Sequence, residues 1–271
     1  MTTPANFNGA TVLALESRRA SDMQTLIESF GGVATVAPSI REVPLEHNAE
    51  LLEFSDALVQ KNVTDLVCMT GVGTKFLLRQ LSPEAVTALK NVNLVLRSNK
   101  AVAVLREHDL TGTLVSEPHT WHEVLEYYQN IGNLENKKVW IAEFGEDTPK
   151  AFVTALTKLG ASVHLLPVYR WALPEDTAPL ERAVHGVIAG KFEWLLLTSG
   201  VQLWHAVEFA RTLGLVTDFK TALEKLRIAS IGPACDEAIL ELGFKPTVQA
   251  QPHKMGVLVR VAALKHSEMS V

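Results

Sequence analysis

Residues 142–170 read AEFGEDTPKAFVTALTKLGASVHLLPVYR, and they repeat the pattern of residues 15–41, LESRRASDMQTLIESFGGVATVAPSIR. The two stretches keep step at an offset of 129 residues, which pairs Pro38 with Pro167. Each stretch predicts the end of a strand, a loop, an amphipathic helix that stops at glycine, and a second strand. Self-similarity at a fixed offset indicates a duplicated structural unit.

Two further blocks repeat in the same order along the chain. DLVCMTG from Asp65 matches EWLLLTSG from Glu193, and SNKAVAVLREHDL from Ser98 matches GPACDEAILELGF from Gly232. At the offset of the last block, 134 residues, Pro118-His119 also falls on Pro252-His253. Several matches in one order with nearly equal offsets support an internal duplication of the chain.

Short apolar runs alternate with segments of helical period throughout both copies. This alternation is typical of βαβ units, and continuous apolar strands favour a parallel sheet covered by helices on both faces. We therefore predict an α/β protein with doubly wound parallel sheets, whose ligands bind beyond the carboxyl ends of the strands. The predicted strands are Thr11–Leu15, Leu66–Met69, Val92–Leu96, Lys138–Ala142, Leu195–Leu197 and Arg227–Ile231.

Length and composition restrict the class of protein. At 271 residues the chain exceeds the usual size of one hydrophobic core, so two domains are expected. A net charge of −5 argues against general nucleic-acid binding, which needs a basic surface. The sequence shows neither a leader pattern nor an apolar run of ~18 residues, so we expect a cytoplasmic protein outside the membrane. Cys68 and Cys235 lie in apolar stretches and are predicted to be buried thiols.

Six loops follow the predicted strands and carry small, hydroxylated or basic residues. Glycine permits close approach of the backbone, serine and threonine cap helices, and helix N-termini favour anions. The loops therefore predict a site for carboxylates or phosphates, although each one is also explained as a plain helix cap. They are residues 16–19, 70–75, 97–100, 144–147, 198–202 and 231–235.

Other site chemistries have weaker support in the sequence. Gly71-Val72-Gly73 lacks the third glycine of a dinucleotide fingerprint, and no Walker sequence is present. His119 and His122 have no cysteine or carboxylate partners to complete a zinc site. No Gly-x-Ser-x-Gly elbow supports a nucleophilic serine.

Tyr169 stands near the end of the second repeat, where the first copy has Ile40. Since the copies differ by a phenol at the expected crossing between domains, we predict that Tyr169 faces a cleft and donates a proton or a hydrogen bond there. A tyrosine that packs its ring in the core and bonds its hydroxyl to the backbone is the alternative.

With these residues, the chain resembles the uroporphyrinogen-III synthase family from about Thr11 to Leu264. The resemblance is carried by the opening strand with Ser17-Arg18, by GASVHLLPVYR and FEWLLLTSG, and by the tail SIGPAC-x6-LGF-x6-AQPHKMGVLV. It implies two flavodoxin-like domains joined by a two-stranded β linker. The implied domains are residues 1–37 plus 172–271 and residues 42–166, with linker strands at 38–41 and 167–171.

The resemblance also implies a lyase that cyclises the linear tetrapyrrole hydroxymethylbilane to uroporphyrinogen III, with loss of water and inversion of ring D. Neither a metal nor an organic cofactor is implied, and we expect a monomer. A non-catalytic two-domain protein that senses or binds a tetrapyrrole is the alternative. Tyr169 is the expected acid, and the expected substrate-binding residues are Ser17, Arg18, Thr70, Gly71, Arg97, Ser98, Lys100, Phe144, Gly145, Thr198, Ser199, Gly200, Val201, Gln202, Ile231, Gly232, Pro233 and Cys235.

Overall fold

A computed structural model describes residues 4–45, 48–143 and 148–269 of the chain. The strands, in chain order, are β1 Thr11–Ala14, β2 Val33–Val36, β3 Arg41–Pro44, β4 Asp65–Cys68, β5 Asn93–Leu96, β6 Thr113–Leu114, β7 Lys138–Ala142, β8 Ser162–Leu166, β9 Tyr169–Ala172, β10 Trp194–Leu197, β11 Arg227–Ser230 and β12 Val248–Gln249. The helices are α1 Ala20–Ser29, α2 Ala49–Val59, α3 Gly71–Gln80, α4 Pro83–Ala88, α5 Asn99–Arg106, α6 Trp121–Ile131, α7 Lys150–Lys158, α8 Ala178–Ile188, α9 Gly200–Thr212, α10 Val216–Leu223, α11 Pro233–Glu241 and α12 Met255–Met269. The chain divides into two compact units, of which unit 1 is Met1–Arg41 with Ala172–Val271 and unit 2 is Glu42–Trp171.

Unit 1 is a five-stranded parallel sheet in the order β2-β1-β10-β11-β12. The strands are apolar on both sides because each face is covered. Alternate residues of β1 and β10, such as Leu13 and Leu195, pack under α8 to α11, while Val12 and Trp194 pack against α1 and α12. The opening βα unit of the chain therefore lies in the same sheet as the C-terminal strands β10 to β12.

Unit 2 is a second five-stranded parallel sheet, in the order β8-β7-β4-β5-β6. One face, with Leu66 and Trp140, packs on α2 to α5, and the other, with Val67 and Ile141, packs on α6 and α7. When β7 and β8 are matched to β1 and β2, as the repeat requires, the two sheets have the same strand order. The predicted pair of doubly wound, flavodoxin-like sheets is confirmed.

The loops after the last strand of each sheet also correspond. The peptide bonds Glu117-Pro118 and Gln251-Pro252 are both cis, and they follow β6 and β12 respectively. The repeated Pro-His dipeptides thus occupy matching places in the two units.

A two-stranded antiparallel sheet pairs β3 with β9, which confirms the predicted β linker. The first linker strand was expected at 38–41 and instead begins at Arg41. Pro38 has no N–H to contribute to a ladder, and the carbonyl of Ile40 accepts a hydrogen bond from Ser17 Oγ at 2.6 Å. Residues 38–40 are therefore held outside the strand.

Two further predictions from the sequence concern the two cysteines and the absence of membrane spans. Cys68 and Cys235 are free and buried, as predicted, and burial raises the pKa of each thiol to about 12. Within the described part of the chain, no helix combines the length and the apolar character that a membrane span requires.

Candidate functional site

In unit 2, helices α3 and α5 begin at the carboxyl ends of β4 and β5. Thr70 caps α3 by accepting the N–H of Gly73 at 3.0 Å, and Ser98 caps α5 by accepting the N–H of Ala101 at 3.4 Å. A Cβ on Gly71 would lie 2.7 Å from Cβ of Lys100 and 2.9 Å from its carbonyl carbon. Glycine at position 71 is therefore what allows the first turns of α3 and α5 to approach each other.

Arg97 and Tyr169 come together at this edge of unit 2. Arg97 Nε donates to the carbonyl of Met69 at 2.7 Å, so the side chain reaches from the end of β5 to the end of β4. Burial lowers the pKa of the Arg97 guanidinium, and an electrostatic interaction with Tyr169 acts in the opposite direction. The guanidinium is nevertheless a cation at neutral pH, because arginine side chains keep their proton in proteins.

Tyr169 is 1% exposed and belongs to the core of unit 2. Its ring lies 5.8 Å from the ring of Phe76 and 5.2 Å, edge to face, from that of Trp171. A Cβ on Gly73 would lie 3.3 Å from Tyr169 Cε1, so the start of α3 packs directly on the phenol. The ring is therefore packed in the core, as in the alternative to a tyrosine that faces a cleft. It also adjoins Arg97 and the Thr70 cap of α3.

In unit 1, α9 begins with a capping box at the carboxyl end of β10. The Ser199 side chain accepts the N–H of Gln202, and Gln202 Oε1 accepts the N–H groups of Thr198 at 3.0 Å and Ser199 at 3.3 Å. A Cβ on Gly200 would lie 2.2 Å from Cβ of Ala238, so this glycine sets the contact of α9 with α11. The caps Thr70 and Ser199 are 129 residues apart, and so are the glycines that follow them. The match of Asp65 with Glu193 in the sequence instead aligns Thr70 with Thr198, one residue earlier.

Glu16 joins two of the predicted loops and was not among the predicted site residues. It is 7% exposed, and its Oε1 accepts the N–H of Arg19 at 3.1 Å, immediately before α1. Its Oε2 accepts a very short hydrogen bond from the Thr198 hydroxyl and a longer one, 3.4 Å, from Gln202 Nε2. The carboxylate thus connects the ends of β1 and β10, the pair at which the order of the sheet reverses.

The loop from Ile231 to Cys235 leads into α11. Gly232 is buried, and a Cβ there would lie 2.8 Å from Nδ1 of His253, so the histidine of the second Pro-His dipeptide covers the start of this helix. Pro233 is the first residue of α11, where its missing N–H costs nothing. Cys235 faces inward, with its sulfur 3.9 Å from the carbonyl of Leu197.

The remaining predicted site residues vary in exposure. Ser17 is half-buried and bonded to the linker, while Arg18 and Lys100 are exposed and Val201 and Ile231 are half-buried. Phe144 and Gly145 lie outside the described residues. Among residues 4–45, 48–143 and 148–269, no group of three histidine, cysteine, aspartate or glutamate side chains could hold a metal ion.

The fold and these edges define the class: an α/β protein built from two flavodoxin-like sheets that share one strand order. The family model described as Uroporphyrinogen-III synthase HemD matches residues 21–260. The chain therefore belongs to the uroporphyrinogen-III synthase family. Membership of this family supports an enzymatic role in porphyrin biosynthesis.

Individual relatives agree with this assignment. A protein of Methanothermobacter thermautotrophicus named "Putative uroporphyrinogen-III synthase" is 28% identical over 249 residues, which cover 91% of this chain and 93% of the relative. A mutant uroporphyrinogen III synthase from the extremely thermophilic bacterium Thermus thermophilus matches the fold with a TM-score of 0.74 at 21% identity, covering 97% of this chain and all of that one. The uroporphyrinogen-III synthetase of Helicobacter pylori matches with a TM-score of 0.52 at 16% identity, covering 93% of this chain and 98% of that one.

Proposed function

We propose that this protein converts hydroxymethylbilane to uroporphyrinogen III, losing water and inverting ring D. The observation that carries the proposal is the family match across residues 21–260, which includes every strand of the two sheets except β1 and the loops that follow β4, β5, β10 and β11. The proposed enzyme is a cyclising hydro-lyase that needs no cofactor, since its task is to position a flexible substrate so that the inverting ring closure is faster than the spontaneous one.

The carboxylates of the substrate explain the need for anion-binding groups at both edges. The substrate carries eight of them, and backbone N–H groups at helix starts bind such anions well. In this proposal Lys100 and Arg97 provide positive charge at the edge of unit 2, and Arg18 provides it at the edge of unit 1. Amides at the first turns of α3, α5, α9 and α11 complete the set, as do the hydroxyls of Thr70 and Ser98 at the edge of unit 2.

Tyr169 remains the proposed acid that assists departure of the hydroxyl group as water. A phenol is neutral at pH 7, so it would act as a hydrogen-bond donor. Its position beside Arg97 and the cap of α3 supports a place in the site. Because the ring is 1% exposed, this role requires the hydroxyl to become accessible when substrate binds.

The test is to add the purified protein to freshly made hydroxymethylbilane, oxidise the products and separate the type I and type III porphyrins by chromatography. We expect type III in large excess over an enzyme-free control, in which spontaneous closure gives type I. Saturable binding of the tetrapyrrole with the product ratio of the control would contradict the proposed catalysis. That result would favour the non-catalytic binding protein instead.

A further inference from the structure

The buried carboxylate of Glu16 lies where the proposed function, on which this inference rests, calls for groups that attract anions. Acidic side chains are rarely buried unless they are paired or fully hydrogen-bonded. Here the carboxylate accepts from the Arg19 N–H, the Thr198 hydroxyl and the Gln202 amide, which are groups from two loops. All three groups donate their hydrogen bonds to the carboxylate.

The carboxylate also fixes the directions of its neighbours. An ionised carboxylate only accepts hydrogen bonds, so the Thr198 hydroxyl must donate to Glu16 and the Gln202 NH2 group must face Glu16 and Thr198. The amide oxygen of Gln202 consequently turns to the N–H groups of Thr198 and Ser199. The Glu16 carboxylate thereby orients three donors at the β1–β10 corner, by which we mean the carboxyl ends of these two strands. The donors are the Arg19 N–H, the Thr198 hydroxyl and the Gln202 NH2 group.

Two consequences follow for an anionic ligand. The N–H groups of Arg19, Thr198 and Ser199 already have acceptors within the protein, so these groups are not available to a substrate carboxylate. A fixed negative charge behind them also repels any carboxylate that approaches this corner, and the repulsion is strong because the group is removed from water.

We propose that Glu16 is a positioning residue that determines specificity by excluding substrate carboxylates from the β1–β10 corner of unit 1. Carboxylates are thereby directed to the neighbouring helix starts and to the basic residues, and one orientation of the linear tetrapyrrole is selected. Rejecting wrong orientations by like charge is an established route to specificity. The cost is some affinity for the polyanion, which the selectivity offsets.

The experiment compares wild type with Glu16→Gln and Glu16→Asp. Glu193→Gln is the matched control, because Glu193 immediately precedes β10 at the opposite end of the strand and is paired with Arg227. Each protein is titrated with uroporphyrin III, which carries eight carboxylates and does not react, at two salt concentrations. Each is then assayed for the fraction of type III product and for thermal stability.

We expect Glu16→Gln to bind uroporphyrin III roughly threefold to tenfold more tightly at low salt, with a smaller gain at high salt. The fraction of type III product should fall, because wrong orientations are no longer rejected. Glu16→Asp keeps the charge but loses reach, so its dissociation constant should stay within about twofold of wild type while its melting temperature falls. The Glu193→Gln control should match wild type in both binding and product ratio.

Two results would overturn the proposal. One is a Glu16→Gln protein with wild-type binding and product ratio and only a lower melting temperature, since that describes a purely structural carboxylate. The other is a large change in the dissociation constant of Glu16→Asp, because this variant keeps the negative charge to which the proposal attributes the effect. This result would overturn the proposal even if Glu16→Gln does not fold. If wild type makes no type III product while Glu16→Gln still tightens uroporphyrin binding, the proposed catalysis fails and the charge exclusion by Glu16 stands.

Discussion

Replacing Gly200 with alanine tests the packing that holds the edge of unit 1 together. The added Cβ would lie 2.2 Å from Cβ of Ala238, whereas carbon atoms in contact lie about 3.5–4.0 Å apart. The obstacle is a methyl group attached directly to the backbone of α11, so it cannot rotate away. The start of α9 must therefore move by more than about 1 Å, or the two helices must separate.

The expected cost is the difference between two effects. Replacing glycine in a helix with alanine normally stabilises a protein by about 0.5–1 kcal/mol. Forcing a methyl group into a packed contact usually costs about 1–3 kcal/mol, and a gap of 2.2 Å places this site at the upper end. We expect Gly200→Ala to lower the free energy of unfolding by about 2–2.5 kcal/mol and the melting temperature by roughly 4–10 °C.

Gly256→Ala is the matched control, because Gly256 is also a helical glycine of unit 1 and a Cβ there has no neighbour within 4 Å. This variant should be as stable as wild type or slightly more stable. Urea unfolding gives the free energies, and hydrogen exchange read by mass spectrometry locates the change. Faster exchange in peptides of α9 and α11, with unit 2 unaffected, is the expected pattern. A Gly200→Ala protein as stable as Gly256→Ala would refute the reasoning.

Three further predictions concern activity and reactivity. Tyr169→Phe should lower kcat/KM for hydroxymethylbilane by roughly 10²-fold without abolishing turnover, while Tyr127→Phe, whose hydroxyl bonds Asn93 at the amino end of the sheet of unit 2, should stay near wild type; equal kcat/KM for both variants would exclude the acid role. Arg18→Ala should raise KM far more than it lowers kcat in steady-state assays, whereas Arg211→Ala, which removes a cation from the last turn of α9, should change neither. Both cysteines should resist iodoacetamide at pH 8 and react only in urea, since a pKa of about 12 leaves roughly 10⁻⁴ of each thiol ionised; rapid labelling of the native protein, counted by mass spectrometry, would contradict this burial.

The architecture was predictable because its signal is repeated and local. The predicted strand Lys138–Ala142 matches the observed one, and the others agree within one residue at each end, since buried parallel strands are continuous apolar runs. The edge strands β6 and β12 escaped prediction because each has only two residues. The start of β3 was misplaced because a side-chain hydrogen bond from a distant loop holds Ile40 outside the ladder.

The site was predictable only in part, because its side chains meet through contacts that the sequence does not display. Ser98 and Thr70 were found as residues that follow strands, and both are caps. The burial of Tyr169 against Phe76, and its proximity to Arg97, depend on three separate elements. No spacing rule links such residues, so the sequence could name them singly and could not assemble them.

Differences between the two copies are the strongest sequence signal for function in a duplicated chain. Positions that differ stand out: Tyr169 corresponds to Ile40, and Arg97 corresponds to Ile231. Glu16 gave no such signal, because the second residue of the matching stretch is also glutamate, Glu143, which is likewise buried. A residue that is the same in both copies is more readily explained by a structural role. In addition, a glutamate is not expected in a site that binds carboxylates. Only the hydrogen bonds from Thr198 and Gln202, which lie 182 and 186 residues away in the chain, show that the Glu16 carboxylate orders the edge of unit 1.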